Sequence, residues 1–181
     1  MLDAEPGPQM RHVRLGVDVG TVRVGLACSD PDGLLATPVA TLERPRSIDL
    51  IVHEVRERGA GCVYVGLPRH LSGREGASAS AVRAYADQLA LAVTPVMVRL
   101  VDERLSTVSA HQALRSAGRS TKKHRAVVDQ AAAVVILQDA LDAERASGSR
   151  PGEVVETDPP RRRTGRGSAQ EVSDDTGVTP T

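Results

Sequence analysis

The chain has 181 residues, of which 40% are hydrophobic and 25% are charged. These fractions fit one globular domain with some length to spare. The chain contains no Phe, no Trp and only two Tyr, so its core must be built from aliphatic side chains. Its two cysteines lie far apart and form no CxxC pattern, which indicates neither a disulfide scaffold nor a zinc site.

The charge is uneven along the chain. Residues 1–10 carry a net charge of −2 and residues 147–181 carry −1, which leaves +3 on residues 11–146 of this formally neutral chain. Such a mildly basic segment permits nucleic acid as a partner without demanding it. The longest uninterrupted apolar run, 131–137, is too short to cross a bilayer, and the first residues do not form a signal peptide. We therefore expect a soluble, cytoplasmic protein with no membrane partner.

Three short strands are predicted at the start of the domain, over residues 13–19, 22–29 and 34–42. The segment between the second and third strands is rich in turn-forming residues, and we interpret Asp30 and Asp32 as turn residues. Strands that are joined this tightly form an antiparallel meander.

Helices alternate with strands after the meander. The patterns predict a helix over 47–58, a strand over 62–66, a loop over 67–76, a helix over 77–92, a strand over 96–101, and helices over 107–117 and 122–143. This order predicts an α/β fold with a mixed five-stranded sheet, in which an antiparallel meander precedes parallel strands and helices flank the sheet.

Composition divides the chain into three parts. We expect residues 1–11 to be a flexible N-terminus and residues 12–146 to form the domain. Residues 147–181 contain almost no apolar side chains, and we expect them to be a disordered tail.

Asp18 lies in the middle of the first predicted strand. With the two-residue period of a strand, it shares one face with Gly16 and Gly20, while Val17 belongs to the opposite, apolar face. A carboxylate inside a strand is costly unless it is paired or holds a cation. The two glycines remove the neighbouring side chains, so a metal ion or a phosphate has room to approach. The alternative is that Asp18 caps the turn that follows.

Two further carboxylates favour the first interpretation. Glu103 follows the end of the strand predicted over 96–101, where sites collect in open α/β sheets. Asp129 lies early in the last, mostly apolar helix, and Ala132 and Ala133 one turn later let that helix pack closely on the sheet. Three carboxylates placed in this way suit Mg²⁺ or Mn²⁺, which prefer oxygen ligands. The alternative for Asp129 is a helical ion pair with Arg125, which would contribute only ~0.3–0.5 kcal/mol.

Basic side chains flank the start of the last helix. Lys122, Lys123 and Arg125 lie at its N-terminus, where the helix dipole disfavours cations, so an anion such as phosphate is expected nearby. The alternative is an ordinary solvated basic loop. Arg69 and Arg74, in the loop over 67–76, form a second and weaker basic patch.

Read together, several motifs resemble the YqgF family of RNase H-like nucleases, also called the RuvX family. The most specific is the DERLST string over 102–107, and the others are GVDVG with RVG over 16–25, VGLP over 65–68 with Gly73, and DQAA over 129–132. They occur in the family's order and span residues 13–142.

The resemblance implies an RNase H-like fold with Asp18, Glu103 and Asp129 as metal-binding catalytic carboxylates. It also implies one of two activities: trimming of the 5′ end of precursor 16S rRNA, or cleavage of four-way DNA junctions. The sequence departs from resolvases of the RuvC type, which carry a second Asp three residues after the helix Asp, because Ala132 stands at that position here. This departure favours the rRNA substrate over the junction.

We therefore expect a metal-dependent endonuclease that acts on structured RNA, with a Holliday junction resolvase and a non-catalytic nucleic-acid-binding module as the alternatives. A resolvase needs a dimer, and the sequence indicates either a monomer or a homodimer. Because aromatic residues are nearly absent, recognition should rest on the shape and charge of the substrate backbone. The candidate phosphate-binding residues are Arg69, Arg74, Arg104, Arg119, Lys122, Lys123 and Arg125.

Overall fold

The computed structural model describes residues 12–68, 76–102 and 122–157, with side chains described from residue 129 onward in the last range. These ranges contain six strands and three helices. The strands are β1 (Arg14–Val19), β2 (Arg23–Ser29), β3 (Ala36–Glu43), β4 (Cys62–Leu67), β5 (Met97–Asp102) and β6 (Glu153–Val154). The helices are α1 (Arg44–Arg58), α2 (Ala77–Val93) and α3 (Lys122–Ser147). The helix predicted over 107–117 and most of the loop predicted over 67–76 lie outside the described residues.

All six described strands form one mixed sheet in the order β3-β2-β1-β4-β5-β6. The pairs β1–β2 and β2–β3 are antiparallel, which confirms the predicted meander. The pairs β1–β4 and β4–β5 are parallel, so β1, β4 and β5 end at the same edge of the sheet. The α/β class and the mixed sheet are confirmed, and the sheet has one strand more than predicted.

The additional strand, β6, corrects the predicted start of the tail. Helix α3 continues to Ser147, and residues 153–154 pair antiparallel with β5. Arg99 on β5 donates hydrogen bonds to the carbonyl oxygens of Pro151 and Gly152, both at 2.7 Å, and Arg83 on α2 forms an ion pair with Glu153 at 2.9 Å. These contacts are polar, and Val155 adds apolar packing against the core, so the low apolar content of the predicted tail did not indicate the strand. Residues 158–181 lie outside the described part of the chain.

The turn between β2 and β3 is built by Asp30, as predicted. Its carboxylate accepts hydrogen bonds from the backbone N–H groups of Leu34 and Leu35 at 2.8 and 2.7 Å and of Asp32 at 3.1 Å. These backbone hydrogen bonds, led by that of Leu35, hold the pKa of Asp30 below its ordinary value. Asp30 is therefore a structural turn residue.

The helices lie on opposite faces of the sheet. Leu15 and Val17 of β1 belong to the core that also contains the buried residues of α1 and α2. Tyr64 of β4 and Leu137 of α3 belong to the core on the other face. Since successive residues of a strand alternate between faces, Gly16 and Asp18 of β1 lie on the α3 face. Of the helices in the described ranges, α3 is consequently the one that packs on the face of Asp18.

Candidate active site

Asp18 is a buried carboxylate in the middle of the sheet. Its residue is only 8% exposed, although it lies one position before the end of β1. Its cross-strand partner on β2 is Gly25, and the Cα atoms of such antiparallel partners lie ~4.5–5.5 Å apart. No side chain therefore lies directly opposite Asp18 on β2.

Helix α3 packs directly on this pair of strands. A Cβ atom added at Gly25 would overlap the backbone carbonyl oxygen of Asp129 and would lie 3.3 Å from the Cβ of Ala133. One added at Gly16 would lie 2.5 Å from the Cβ of Leu137 and 2.9 Å from the carbonyl oxygen of Ala133. The missing side chains thus allow the helix backbone to touch the sheet. This contact brings Asp129 next to the cross-strand partner of Asp18.

The same contacts correct the interpretation of the glycines around Asp18. Gly16 was expected to leave room for a metal or a phosphate, but α3 fills that space. Gly20 forms a tight turn instead, in which its N–H donates a hydrogen bond to the carbonyl oxygen of Arg23 at 2.8 Å. The prediction that small residues on the last helix permit close packing is confirmed, because Ala133 is fully buried between Gly16 and Gly25.

Helix α3 runs antiparallel to β1. Asp129 lies at the level of Asp18, Leu137 lies at Gly16, and Glu144 near the helix end binds Arg14 at the start of β1. The N-terminus of α3 is therefore at the edge where β1, β4 and β5 end. Lys122, Lys123 and Arg125 belong to the first turn of α3, while their side chains lie outside the described residues.

A half-buried polar network fixes the other end of α3. Glu144 accepts hydrogen bonds from the Arg14 guanidinium at 2.8 Å and from the Tyr64 hydroxyl at 2.9 Å. Burial alone would raise the pKa of Glu144, but the hydrogen bonds from Arg14 and Tyr64 outweigh it and hold that pKa below its ordinary value. Burial, together with the neighbouring Cys62 and Glu144, raises the pKa of Tyr64. The network therefore contains an ionised Glu144 and a neutral Tyr64 at pH 7, and it fixes the position of α3 along β1.

Of the remaining carboxylates, Asp102, the last residue of β5, shares the α1–α2 face with Leu100 and Val98 by strand alternation, so it faces away from Asp18. Glu103 lies outside the described residues. Within the described ranges, no group of three or more His, Cys, Asp or Glu side chains could hold a metal ion. Ala132 is buried and supplies no ligand, so α3 offers Asp129 as its carboxylate to this edge.

The donors that the structure does bring together fit a hard divalent cation. Asp18 is the cross-strand partner of Gly25, and the backbone of Asp129 lies against the same glycine; Mg²⁺ and Mn²⁺ take oxygen ligands, which both of these residues carry, in preference to nitrogen or sulfur. The alternative ion pair between Arg125 and Asp129 lies outside the described side chains, as do the candidate phosphate-binding residues Arg69, Arg74, Arg104 and Arg119.

Arg44 is a residue of this edge that the sequence analysis missed. Its backbone N–H donates to the carbonyl oxygen of Val22 at 3.0 Å, and its guanidinium donates to that of Gly20 at 2.5 Å. The guanidinium also lies 5.5 Å from the ring centroid of Tyr85, whose hydroxyl is 2.7 Å from Ser47 Oγ. Arg44 thus ties the turn that follows Asp18 to α1 and α2. No local pattern reveals this contact, because its partners lie 22 to 41 positions away in the sequence.

Comparison with known proteins identifies the family. The family model described as "RuvX: Holliday junction resolvase" matches residues 12–143. The chain belongs to this family. A relative in Nocardioides sp. named "Putative pre-16S rRNA nuclease" is 57% identical over 150 residues, which cover 80% of this chain and 96% of that relative. A relative of the same name in Streptomyces coelicolor is 52% identical over 158 residues, which cover 85% of this chain and 95% of that relative.

Solved structures agree with the family at the level of the fold. Thermus thermophilus RuvC in complex with a Holliday junction substrate matches with a TM-score of 0.52 at 17% identity, over 77% of this chain and 99% of the RuvC chain. A second Thermus thermophilus RuvC structure gives a TM-score of 0.51 at 15% identity. The RuvX resemblance, the RNase H-like fold and the assignment to hydrolases of the nuclease class are therefore confirmed. No helix in the described part of the chain combines the length and the apolar content that a membrane span needs.

Proposed function

We propose that this RuvX-family chain is a metal-dependent endonuclease that hydrolyses phosphodiester bonds during 5′-end processing of precursor 16S rRNA. The observation that carries the proposal is the seating of Asp129 on Gly25, beside the buried Asp18. The names of the relatives support the rRNA substrate, since the Nocardioides and Streptomyces coelicolor relatives are both named "Putative pre-16S rRNA nuclease".

In this proposal Asp18, Asp129 and Glu103 hold one or two Mg²⁺ or Mn²⁺ ions. Such ions, when bound, supply an activated water and stabilise the charge on the leaving oxygen. The role of Asp18 is positional: it is buried in a central strand, so its carboxylate keeps one orientation as substrate enters and leaves. The role of α3 is to hold Asp129 at a fixed depth against the sheet.

Substrate binding would use the positive end of α3. Free backbone N–H groups at a helix N-terminus attract phosphate, and Lys122, Lys123 and Arg125 add cationic side chains to the same turn. Arg69, Arg74, Arg104 and Arg119 would extend this surface along the nucleic-acid backbone. Phosphate contacts of this kind weaken steeply with salt, so binding should depend strongly on ionic strength.

Cleavage mapping on two substrates tests the proposal. The wild-type protein is incubated with Mn²⁺ and an end-labelled precursor 16S rRNA fragment that spans the mature 5′ end, and in parallel with a labelled four-way DNA junction. The proposal expects cuts in the RNA at or near the mature 5′ end and an intact junction. Binding of the RNA without any cut in Mg²⁺ or Mn²⁺ would contradict it and would favour a non-catalytic binding module.

A junction resolvase is the second candidate function. The description of the matching family model favours it, while the single carboxylate that α3 offers, with Ala132 one turn later, opposes it. A resolvase must cut two strands of one junction and therefore works as a dimer. Symmetric cuts in the junction, together with a dimer in sedimentation velocity, would establish this candidate in place of the rRNA nuclease.

A further inference from the structure

Arg23 is a cation on the same face of the sheet as Asp18. It is the first residue of β2 and alternates with Val24, which belongs to the core on the α1–α2 face. It therefore points to the α3 face, as Gly25 does. Because Asp18 pairs with Gly25, Arg23 is its diagonal neighbour across the two strands, and such neighbours have Cα atoms ~7–8 Å apart.

The guanidinium of Arg23 makes no direct polar contact in the described part of the chain. Arg23 is half-buried, and it forms no hydrogen bond or ion pair within the described ranges. The residue opposite it in the turn, Gly20, has no side chain. Glu43 is its cross-strand partner on β3, yet the two side chains do not form an ion pair in the structure. A partly desolvated cation without a protein partner is unfavourable, which points to an anion from outside the chain.

The backbone around Arg23 is held in place. Its carbonyl oxygen accepts the hydrogen bond from Gly20, and Arg44 binds the carbonyl oxygens of Gly20 and Val22 on either side of the turn. A guanidinium on such a backbone loses less freedom on binding than one on a mobile loop, because only its side chain has to be ordered.

We propose that Arg23 binds a phosphate of the nucleic-acid substrate beside the Asp18–Asp129 carboxylates and orients it for cleavage. The proposal rests on the nuclease function proposed above and adds a residue to it. Arginine suits this role because its planar fork donates two parallel hydrogen bonds to a phosphate and keeps its charge at every physiological pH. The competing explanation is structural: Arg23 and Glu43 stabilise the β2–β3 pair as a cross-strand ion pair.

The test compares Arg23→Ala and Arg23→Lys with Arg46→Ala as the matched control. Arg46 is also without an ion pair or hydrogen bond in the described ranges, but it is exposed on α1. Cleavage of the labelled precursor 16S rRNA fragment is measured with Mn²⁺. Binding of the same RNA is measured without divalent metal over a range of salt concentrations. Thermal unfolding reports whether each variant is folded.

We expect Arg23→Ala to lower kcat/KM at least about tenfold and to reduce the slope of log Kd against log[salt] by about one. Arg23→Lys keeps the positive charge, so its salt slope should equal that of the wild type. Lysine cannot form the bidentate hydrogen bonds of arginine, so the cleavage rate should be only partly retained. Arg46→Ala and Glu43→Gln should leave both quantities unchanged. The proposal is overturned if Arg23→Ala behaves like Arg46→Ala, or if Glu43→Gln reproduces the cleavage defect of Arg23→Ala.

The two readouts separate this inference from the proposed function. If the wild-type protein binds the RNA without cutting it, and Arg23→Ala still lowers the salt slope, the phosphate contact stands and the nuclease function fails. If the wild-type protein cuts and the Arg23→Ala slope and rate are unchanged, the nuclease function stands and the role of Arg23 fails. Absence of RNA binding by the wild-type protein would overturn both.

Discussion

A Cβ atom added at Gly25 would overlap the backbone carbonyl oxygen of Asp129, and the same glycine is the cross-strand partner of Asp18. One residue without a side chain therefore links the strand carboxylate to the helix carboxylate. The depth at which α3 packs on the sheet, and with it the position of Asp129 relative to Asp18, depends on that missing side chain.

Substitution of Gly25 by Ala should move α3 and disable the site. The added Cβ overlaps backbone rather than the end of a flexible side chain, so the helix itself must shift. We expect a loss of ~1–3 kcal/mol in the free energy of unfolding and a loss of cleavage larger than the unfolded fraction explains. Denaturant unfolding and cleavage of the RNA fragment measure the two effects.

Gly59→Ala is the control for this substitution. Gly59 ends α1 with a φ of 59°, and a Cβ atom added there would have no atom within 4 Å. The substitution should therefore cost about 1 kcal/mol in backbone strain and should not move α3. Cleavage by folded Gly59→Ala should equal that of the wild type. If Gly25→Ala retained full activity, the contact between β2 and α3 would not set the geometry of the site.

Glu144→Gln should destabilise the protein in a pH-dependent way. The pKa of Glu144 is held below its ordinary value of 4.5 by Arg14 and Tyr64, against the opposing effect of burial. A lowered pKa in the folded state contributes stability above the unfolded pKa, and this contribution is lost as the pH falls through the folded value. At pH 7 we expect the variant to be less stable by ~1–3 kcal/mol, because Arg14 loses its charged partner.

The deficit of Glu144→Gln should shrink below pH 4.5, which denaturant unfolding at pH 7 and pH 4 can measure. Glu54→Gln is the matched control, because Glu54 forms an ion pair with Arg58 one helical turn away. This pair is more exposed to solvent: the side chain of Glu54 is 26% exposed and that of Arg58 is 38% exposed. Its effect should not exceed ~0.5 kcal/mol at pH 7. Equal effects of the two variants would show that the Glu144 network does not anchor α3.

Asp139→Asn should stabilise the protein at neutral pH. Burial, with a smaller contribution from the charge of Asp142, raises the pKa of Asp139 to about 6 from its ordinary 3.8. Its Oδ2 atom is buried and has no hydrogen-bond partner in the described part of the chain. Between pH 3.8 and about 6 the folded state binds more protons than the unfolded state, so this group lowers stability as the pH rises.

Asp139→Asn removes the cost of ionising this carboxylate in the folded state. The melting temperature of the variant should therefore exceed that of the wild type at pH 7.5 and approach it at pH 4. Asp142→Asn should give a smaller gain, because Asp142 is exposed and forms an ion pair with Arg145. A lower melting temperature for Asp139→Asn at pH 7.5 would mean that the Asp139 carboxylate has a stabilising partner.

The sequence predicts the elements of the site better than the contacts between them. Asp18 could be assigned to a strand face and Asp129 to a buried helix because periodicity is a local property. Their proximity was an expectation that the family resemblance supported, and the packing of α3 on Gly25 is its structural basis. That packing joins residues more than 100 positions apart, so no local pattern encodes it.

The missed features have the same physical origin. The paired segment 153–154 is held by Arg99 and Arg83, and composition gave no sign of it. The start of α1 at Arg44 precedes the predicted residue 47 because Pro45 occupies the first turn, where a missing N–H costs nothing. The space beside Gly16 was assigned to a ligand because a glycine in a strand marks a close approach without identifying what approaches.

Cleavage by Asp18→Asn shows whether the strand carboxylate is part of the metal-dependent nuclease site. Labelled precursor 16S rRNA fragment is incubated with wild type, Asp18→Asn and the exposed control Asp49→Asn, with Mn²⁺ and separately with EDTA, and RNA binding is measured for all three. We expect wild type and Asp49→Asn to cut the RNA in Mn²⁺ and neither to cut it in EDTA. Asp18→Asn should bind the RNA and cut it at least 100-fold more slowly, on the order of what one essential catalytic group supplies. Cutting by Asp18→Asn at the wild-type rate, or in EDTA, would contradict this expectation.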